Sequence, residues 1–273
     1  MADRKFSGIL KGFDSLHLVG EKNELRAKLE LKGFLTLNPN VGQELVQFWS
    51  ESELLGESKT LDVSGIATLS LPPLSVGTHS FKLTLKEDSR YKVHPATLTV
   101  AVISSEQPIL ISDIDHTILD AGYIEAFLKK NIRLKPLKDA PESLQELSKK
   151  YQILYITSRE EFLTNKTRRW LSLRGFPLGP IFFWDLLGKD VPIHHAKYKM
   201  ELVKNLKKRF PNIVVGIGDR AGDAIAYLEN GIRAYIMPSG KQEFPPETVF
   251  ISGWKEIISL LNEDPPAIFR PNE

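Results

Sequence analysis

The sequence predicts an α/β fold, a parallel sheet with helices on both faces, preceded by a small all-β sandwich. Three observations carry this. Up to about residue 105, apolar and polar residues alternate in short runs set between turn signals. From Pro108 onward, short apolar runs alternate with segments of helical period. Between the two lies Ser104-Ser105-Glu106-Gln107-Pro108, a linker by composition. At 273 residues two domains are expected, drawn here as 1–105 and 106–273.

In the first part, Leu29-Glu30-Leu31, Leu69-Ser70-Leu71, Phe81–Lys86 and Ala96–Val100 alternate as half-buried strands do. Asn38-Pro39-Asn40, Pro72-Pro73, Val76-Gly77-Thr78 and Glu87-Asp88-Ser89 supply the turns. In the second part, strands are expected at Ile109–Ile111, Ile153–Ile156, Ile181–Trp184, Ile213–Ile217 and Ala234–Met237. Helices are expected at Tyr123–Lys130, Ser143–Lys150, Thr164–Arg174 (closed by Gly175), Lys199–Arg209 and Ala221–Glu229. In such a sheet, functional groups gather beyond the carboxyl ends of the strands.

Four polar clusters fall at those ends. The first strand finishes in Asp113-Ile114-Asp115-His116-Thr117. Two residues apart in extended chain, Asp113 and Asp115 share a face. Such a pair can hold a hard dication such as Mg²⁺. Asp113, at the strand end, is the better nucleophile candidate, and Asp115 the candidate proton carrier. A plain turn or N-cap is the competing reading of these residues. The second strand ends in Thr157-Ser158-Arg159, where hydroxyls and a guanidinium suit phosphoryl oxygens; helix capping would account for them as well. A lysine near the start of the helix after Pro192, Lys197 or Lys199, could neutralise charge on the nucleophile and the transferred group. His194 and His195 lack partners at metal-ligand spacing. The fourth strand ends in Gly218-Asp219, and Asp223 follows at a helix start. Asp219 is a metal-ligand candidate with room for close backbone approach at Gly218. Asp223 is either a ligand or the group that orients a water or the lysine.

Composition closes off other classes. The chain has no cysteine, so zinc–thiolate sites, disulfides and cysteine nucleophiles are excluded. Net charge is +2, with 12 basic and 12 acidic residues through Ser105 and the remaining 24 and 22 after it, so the β domain has no basic footprint for nucleic acid. No signal peptide and no membrane-spanning run is visible, which makes a cytoplasmic location the expectation.

Taken together, the four clusters resemble the pattern of the haloacid dehalogenase (HAD) superfamily: DxDxT, a strand-terminal Thr or Ser, Lys, then GDxxxD. The pattern maps onto Asp113, Asp115 and Thr117, then Thr157, Lys199 or Lys197, and Asp219 with Asp223. The resemblance implies a Rossmann-like sheet of order 5-4-1-2-3 and phosphorylation of Asp113, with Asp115 as acid/base. It also implies Mg²⁺ held by Asp113, the backbone carbonyl of Asp115, and Asp219. Asp115 points to the phosphatases and phosphomutases of that superfamily, since its dehalogenases lack the second Asp. Arg174–Pro180, Lys199 and Arg209-Phe210-Pro211 look like the actin-patch phosphatidate phosphatase-like branch, whose lysine stands eleven residues before Phe-Pro and so selects Lys199. Two departures weigh against a phosphatidate substrate: His116 replaces the usual Asp, and the last motif is shorter than GDSGxxDPE. Separately, Leu61–Val102 resembles the last strands of an immunoglobulin-like module of bacterial cell-surface type.

About 40 residues separate Thr117 from Thr157, and a similar stretch separates Thr157 from Lys199. Core elements use both, leaving no cap domain. The expected function is a Mg²⁺-dependent phosphomonoester hydrolase with an open site for a bulky lipid phosphate or phosphoprotein. Its rivals are a binding or adhesion protein with a vestigial catalytic domain and a nucleotide or nucleic-acid-end phosphatase.

Overall fold

The computed structural model describes residues 5–33, 38–184 and 195–268. The chain divides into two compact units, Met1–Ser104 and Ser105–Glu273.

The first unit is built from β1 (Phe6–Phe13), β2 (Ser15–Leu18), β3 (Asn23–Leu31), β4 (Leu45–Ser50), β5 (Glu53–Lys59), β6 (Ile66–Leu71), β7 (Gly77–Leu85), β8 (Tyr91–Lys92) and β9 (Ala96–Ile103). They form two sheets, β6-β3-β1-β8 and β2-β9-β7-β4-β5. Strand β3 shows the rule that sorts the two faces: Leu25, Ala27 and Leu29 are buried, while Glu24 and Arg26 between them are exposed. The inward residues meet Phe48, Phe81, Leu83, Leu98 and Val100 in one core. All four runs singled out by alternation lie in strands. β1 and β5 were hidden, the first because Gly8 and Gly12 interrupt its apolar pattern, the second because Glu53-Leu54-Leu55-Gly56-Glu57-Ser58-Lys59 is largely polar.

The second unit holds β10 (Ile109–Ser112), α1 (Tyr123–Leu128), α2 (Ala140–Leu147), β11 (Gln152–Glu160), α3 (Thr164–Leu173), β12 (Ile181–Trp184), α4 (His195–Arg209), β13 (Ile213–Gly218), α5 (Ala221–Leu228), β14 (Arg233–Ile236), β15 (Val249–Phe250) and α6 (Trp254–Glu263). Its sheet runs β12-β11-β10-β13-β14-β15 and every pairing is parallel. The five expected strands therefore take the order 5-4-1-2-3, and β15 extends one edge. Its two residues are too few to carry a period. Helix α2 starts three residues earlier than its apolar period suggested because Pro141 is accommodated in the first turn, where its missing N–H costs nothing.

Both faces of the sheet are covered. On one, Leu110, Ile153, Tyr155, Val215 and Ile217 pack in a single core with Leu144 of α2, Trp170 of α3, and Trp254 and Ile257 of α6. On the other, α5 lies so close to β13 that a Cβ on Gly216 would stand 2.3 Å from the Tyr227 ring. The chain reverses sheet direction between β10 and β13, the switch point at which α/β sheets open a crevice. No helix among the described residues is long and apolar enough to cross a membrane.

Gly216→Ala is expected to lower stability by about 1–3 kcal/mol through overpacking against Tyr227. Urea unfolding of the full chain, showing a lower midpoint at unchanged slope, checks this.

Candidate active site

The site forms where β10 and β13 end. Asp113 follows β10 directly, and its N–H donates to the carbonyl of Ile217 at 2.9 Å, which ties it to the neighbouring strand. The chain then turns sharply: the carbonyl of Ile114 accepts from the N–H of Thr117, Ile118 and Leu119, and His116 takes a left-handed φ of 57°. This turn brings Thr117 back to donate to Asp113 Oδ2 at 3.3 Å. Thr117 is fully buried, with its carbonyl held by Trp254 Nε1 at 2.8 Å. Thr117, a substrate-binding candidate in the sequence, thus meets Asp113 from a fully buried position.

Lys199 reaches this point from α4. Its Nζ lies 2.6 Å from Asp113 Oδ1 and 2.6 Å from Asp223 Oδ1. Lys197, two residues earlier, is exposed. His194 lies outside the described residues, as does the side chain of His195. Asp223 uses its other oxygen to accept from the backbone N–H of Asp219 (3.2 Å) and Arg220 (3.1 Å), closing the first turn of α5. A Cβ on Gly218 would stand 2.5 Å from that oxygen. The glycine therefore makes room for the Asp223 carboxylate, rather than for approach of the backbone to a metal. Asp219 accepts from Ser239 Oγ, and Ser239 N–H donates to the Asp219 carbonyl at 3.1 Å. Ser239 carried no signal in the sequence, standing alone in the loop after β14.

Asp113, Asp219 and Asp223 each offer an oxygen within 4.8 Å of the others, and all three are buried. Three carboxylates face one ammonium, so the cluster has a deficit of positive charge. Burial pushes the Asp113 carboxyl up to about 8; Lys199 opposes this, while Asp223, Asp219 and Asp115 add repulsion. Asp219 is also raised, chiefly by burial, with the Ser239 hydrogen bond working the other way. Burial disfavours the Lys199 ammonium, but Asp113 and Asp223 outweigh it and hold its pKa well above the ordinary lysine value. An all-oxygen donor set with excess negative charge fits a hard divalent cation such as Mg²⁺.

Asp115 lies apart from this trio. Its carboxylate accepts from Arg159 Nε at 2.9 Å and Nη2 at 2.8 Å, while Arg159 Nη1 donates to Thr167 Oγ1 at 2.9 Å. Arg159, expected to meet phosphate, is 3% exposed and engaged with Asp115 through two nitrogens. Strand β11 runs past Ile156 to Glu160, with a register shift against β12, so the Thr157-Ser158-Arg159 cluster sits within the strand rather than beyond it. Thr157 is fully buried and its hydroxyl accepts from the Arg159 N–H at 3.2 Å, while Ser158 and Arg159 both line the cleft. That cleft, about 350 Å³, is bounded by Asp113, Asp115, Ser158, Arg159, Lys199, Asp219 and Asp223, with Arg220 and Gly222. Tyr123, Glu160 and Gln242 also belong to its wall. Tyr123 donates to Glu160 at 2.9 Å, and burial followed by that hydrogen bond pushes its pKa up to about 12. None of these three was distinguishable in the sequence from ordinary surface residues.

Divalent-cation affinity is expected to rise with pH between about 6 and 8. Below the raised pKa of Asp113 the cation must displace a proton, so affinity gains up to about tenfold per pH unit and levels off above it. Calorimetric titration with Mg²⁺ across that range checks the sign, and a flat profile would contradict it.

Against known proteins, residues 110–236 match the family described as PITM 1-3, LNS2 domain. No curated protein matches the chain. Among solved structures, the magnesium- and phosphate-bound D,D-heptose 1,7-bisphosphate phosphatase of B. bronchiseptica is 17% identical, with a TM-score of 0.46 over 58% of this chain and 100% of that one. The haloacid dehalogenase-like hydrolase SP0104 of Streptococcus pneumoniae is 15% identical, with a TM-score of 0.42 over 57% of this chain and 99% of that one. A fibronectin(III)-like module of Clostridium thermocellum CbhA is 12% identical, with a TM-score of 0.25 over 35% of this chain and 96% of that one. From β10 to the end of β14, the α/β unit is thus similar in sequence to the LNS2 domain.

Proposed function

We propose that the chain is a Mg²⁺-dependent phosphomonoester hydrolase of HAD type working through an aspartyl-phosphate at Asp113. The observation that carries this is the Lys199 ammonium, 2.6 Å from both Asp113 and Asp223, beside Asp219 at the mouth of a cleft. A lone buried ion pair would need one carboxylate; three around one lysine make sense as a seat for a second cation and a dianionic phosphoryl group. The LNS2 match over the same segment supports the reading.

In this mechanism the Asp113 carboxylate attacks phosphorus as the bond to the ester oxygen breaks. The departing oxygen takes a proton from Asp115. Asp115 then accepts a proton from water, which attacks the aspartyl-phosphate, releasing phosphate and restoring Asp113. When bound, Mg²⁺ would be held by Asp113 and Asp219 and would offset charge on the phosphoryl oxygens. Thr117 steadies one oxygen of Asp113. Lys199 neutralises the other and holds Asp223 in place. Arg159 orients Asp115 through two hydrogen bonds, which still leave lone pairs on the carboxylate for the proton. Ser158 is placed to meet a phosphoryl oxygen from the cleft wall. The short spacings between clusters leave no cap, which suits a bulky ester, a lipid phosphate or a phosphoprotein. The assembled carboxylates argue against a vestigial site.

Hydrolysis of an aryl phosphate by the full chain is expected to need Mg²⁺ and to stop in excess EDTA. Asp113→Asn should lower kcat by more than about 10³-fold while leaving the fold intact by circular dichroism. Turnover that survives either treatment would overturn the mechanism.

A further inference from the structure

Helix α1 is turned inside out. Its apolar residues Ile124, Phe127 and Leu128 fall at i, i+3 and i+4, the stripe that ordinarily faces a core. Here only Ala126 is buried, while Ile124 is 71%, Phe127 42% and Leu128 72% exposed. Ile132, in the short turn that follows, adds a fourth large apolar side chain at 66% exposure. Four such residues within nine positions form a patch rather than scattered surface leucines.

The patch is held firmly. Phe127 meets the Phe162 ring edge-on at 5.7 Å, and Lys166 Nζ donates to the Phe127 carbonyl at 2.7 Å. Arg174 donates to the carbonyls of Ile132 and Leu134 at 2.8 and 3.0 Å. The patch also adjoins the cleft, because Tyr123, the first residue of α1, lines it.

Its surroundings are basic. Lys129, Lys130, Arg133 and Lys135 are all exposed. Lys129 pairs with Glu125, while Lys130, Arg133 and Lys135 have no carboxylate partner among the described residues. Exposed aliphatic and aromatic side chains within a ring of cations match the boundary of an anionic bilayer. There the apolar groups enter the acyl region and the cations stay with the headgroups.

We propose that the face made by Ile124, Phe127, Leu128 and Ile132 with Lys130, Arg133 and Lys135 docks on an anionic lipid bilayer. This docking does not rest on the phosphatase reading.

Co-sedimentation of the full chain with vesicles tests this, using phosphatidylcholine alone and phosphatidylcholine mixed with phosphatidylserine, neither of which is a phosphomonoester. Binding to the mixed vesicles is expected, weakened by salt and by omission of phosphatidylserine. Two double variants, Ile124→Ser with Leu128→Ser and Lys130→Glu with Arg133→Glu, should each lower partitioning by about tenfold or more. Both should keep the wild-type turnover of a soluble aryl phosphate. Absence of binding to mixed vesicles, or wild-type binding by either variant, would overturn the proposal. So would a wild-type dimer that the Ile124→Ser, Leu128→Ser variant dissolves, since the face would then belong to a second copy. Loss of aryl phosphatase activity with vesicle binding intact would count against the phosphatase reading alone.

Discussion

The α/β unit is organised around one buried ammonium. Lys199 comes from a helix, Asp113 from the end of one strand and Asp223 from the start of another helix, and the three meet within 2.6 Å contacts. Removing one partner of such a buried pair costs about 3–5 kcal/mol, because the remaining charge is stranded away from water. The lysine therefore adds a buried ionic tie between elements already joined by the β10–β13 pairing and by packing of α5 on β13. It also leaves the cluster incompletely neutralised, since Asp219 is a third carboxylate, offset by the Ser239 hydroxyl, the Arg220 guanidinium 3.8 Å away and the same Lys199. The groups that tie these elements together are thus the same ones that gather the excess negative charge.

That meeting depends on close packing between β13 and α5. Gly216 and Gly218 face the helix, and any side chain at either would collide with Tyr227 or Asp223. The helix can then begin immediately after the strand, with Asp223 turned back to cap the N–H groups of Asp219 and Arg220. A helix start is itself slightly positive, which suits the carboxylates gathered there.

A second layer of hydrogen bonds holds Asp115. Arg159 is fixed by Thr167 and by its own N–H to Thr157, and it in turn fixes Asp115. Strand alternation turns Thr157 and Arg159 to the buried side, with Ser158 and Glu160 on the other. On the outer side, the exposed stripe of α1 begins at the same cleft, so chemistry and the proposed docking face share one edge of the sheet.

Much of this was legible in the chain. Alternation in β3, β6, β7 and β9, the apolar runs before Asp113 and Asp219, and helix-period segments between them follow from local burial rules that need no partner. The glycine-interrupted β1, the polar β5 and the two-residue β15 were not legible, because neighbouring strands, rather than local pattern, make them strands. The motif residues carried the chemistry as types in order along the chain: Asp113, Asp115, Lys199, Asp219 and Asp223. Which side chain met which could only be settled in three dimensions. The residues by themselves left Lys197 and Lys199 open and only the resemblance favoured Lys199; in the fold Lys199 is buried against Asp113 while Lys197 is exposed. Arg159 hydrogen-bonds Asp115 while still lining the cleft, and Thr117 hydrogen-bonds Asp113 from a fully buried position. Residue identity determined what the site could contain, while packing decided which groups were left free to face the cleft, because a buried polar group must first satisfy its own neighbours.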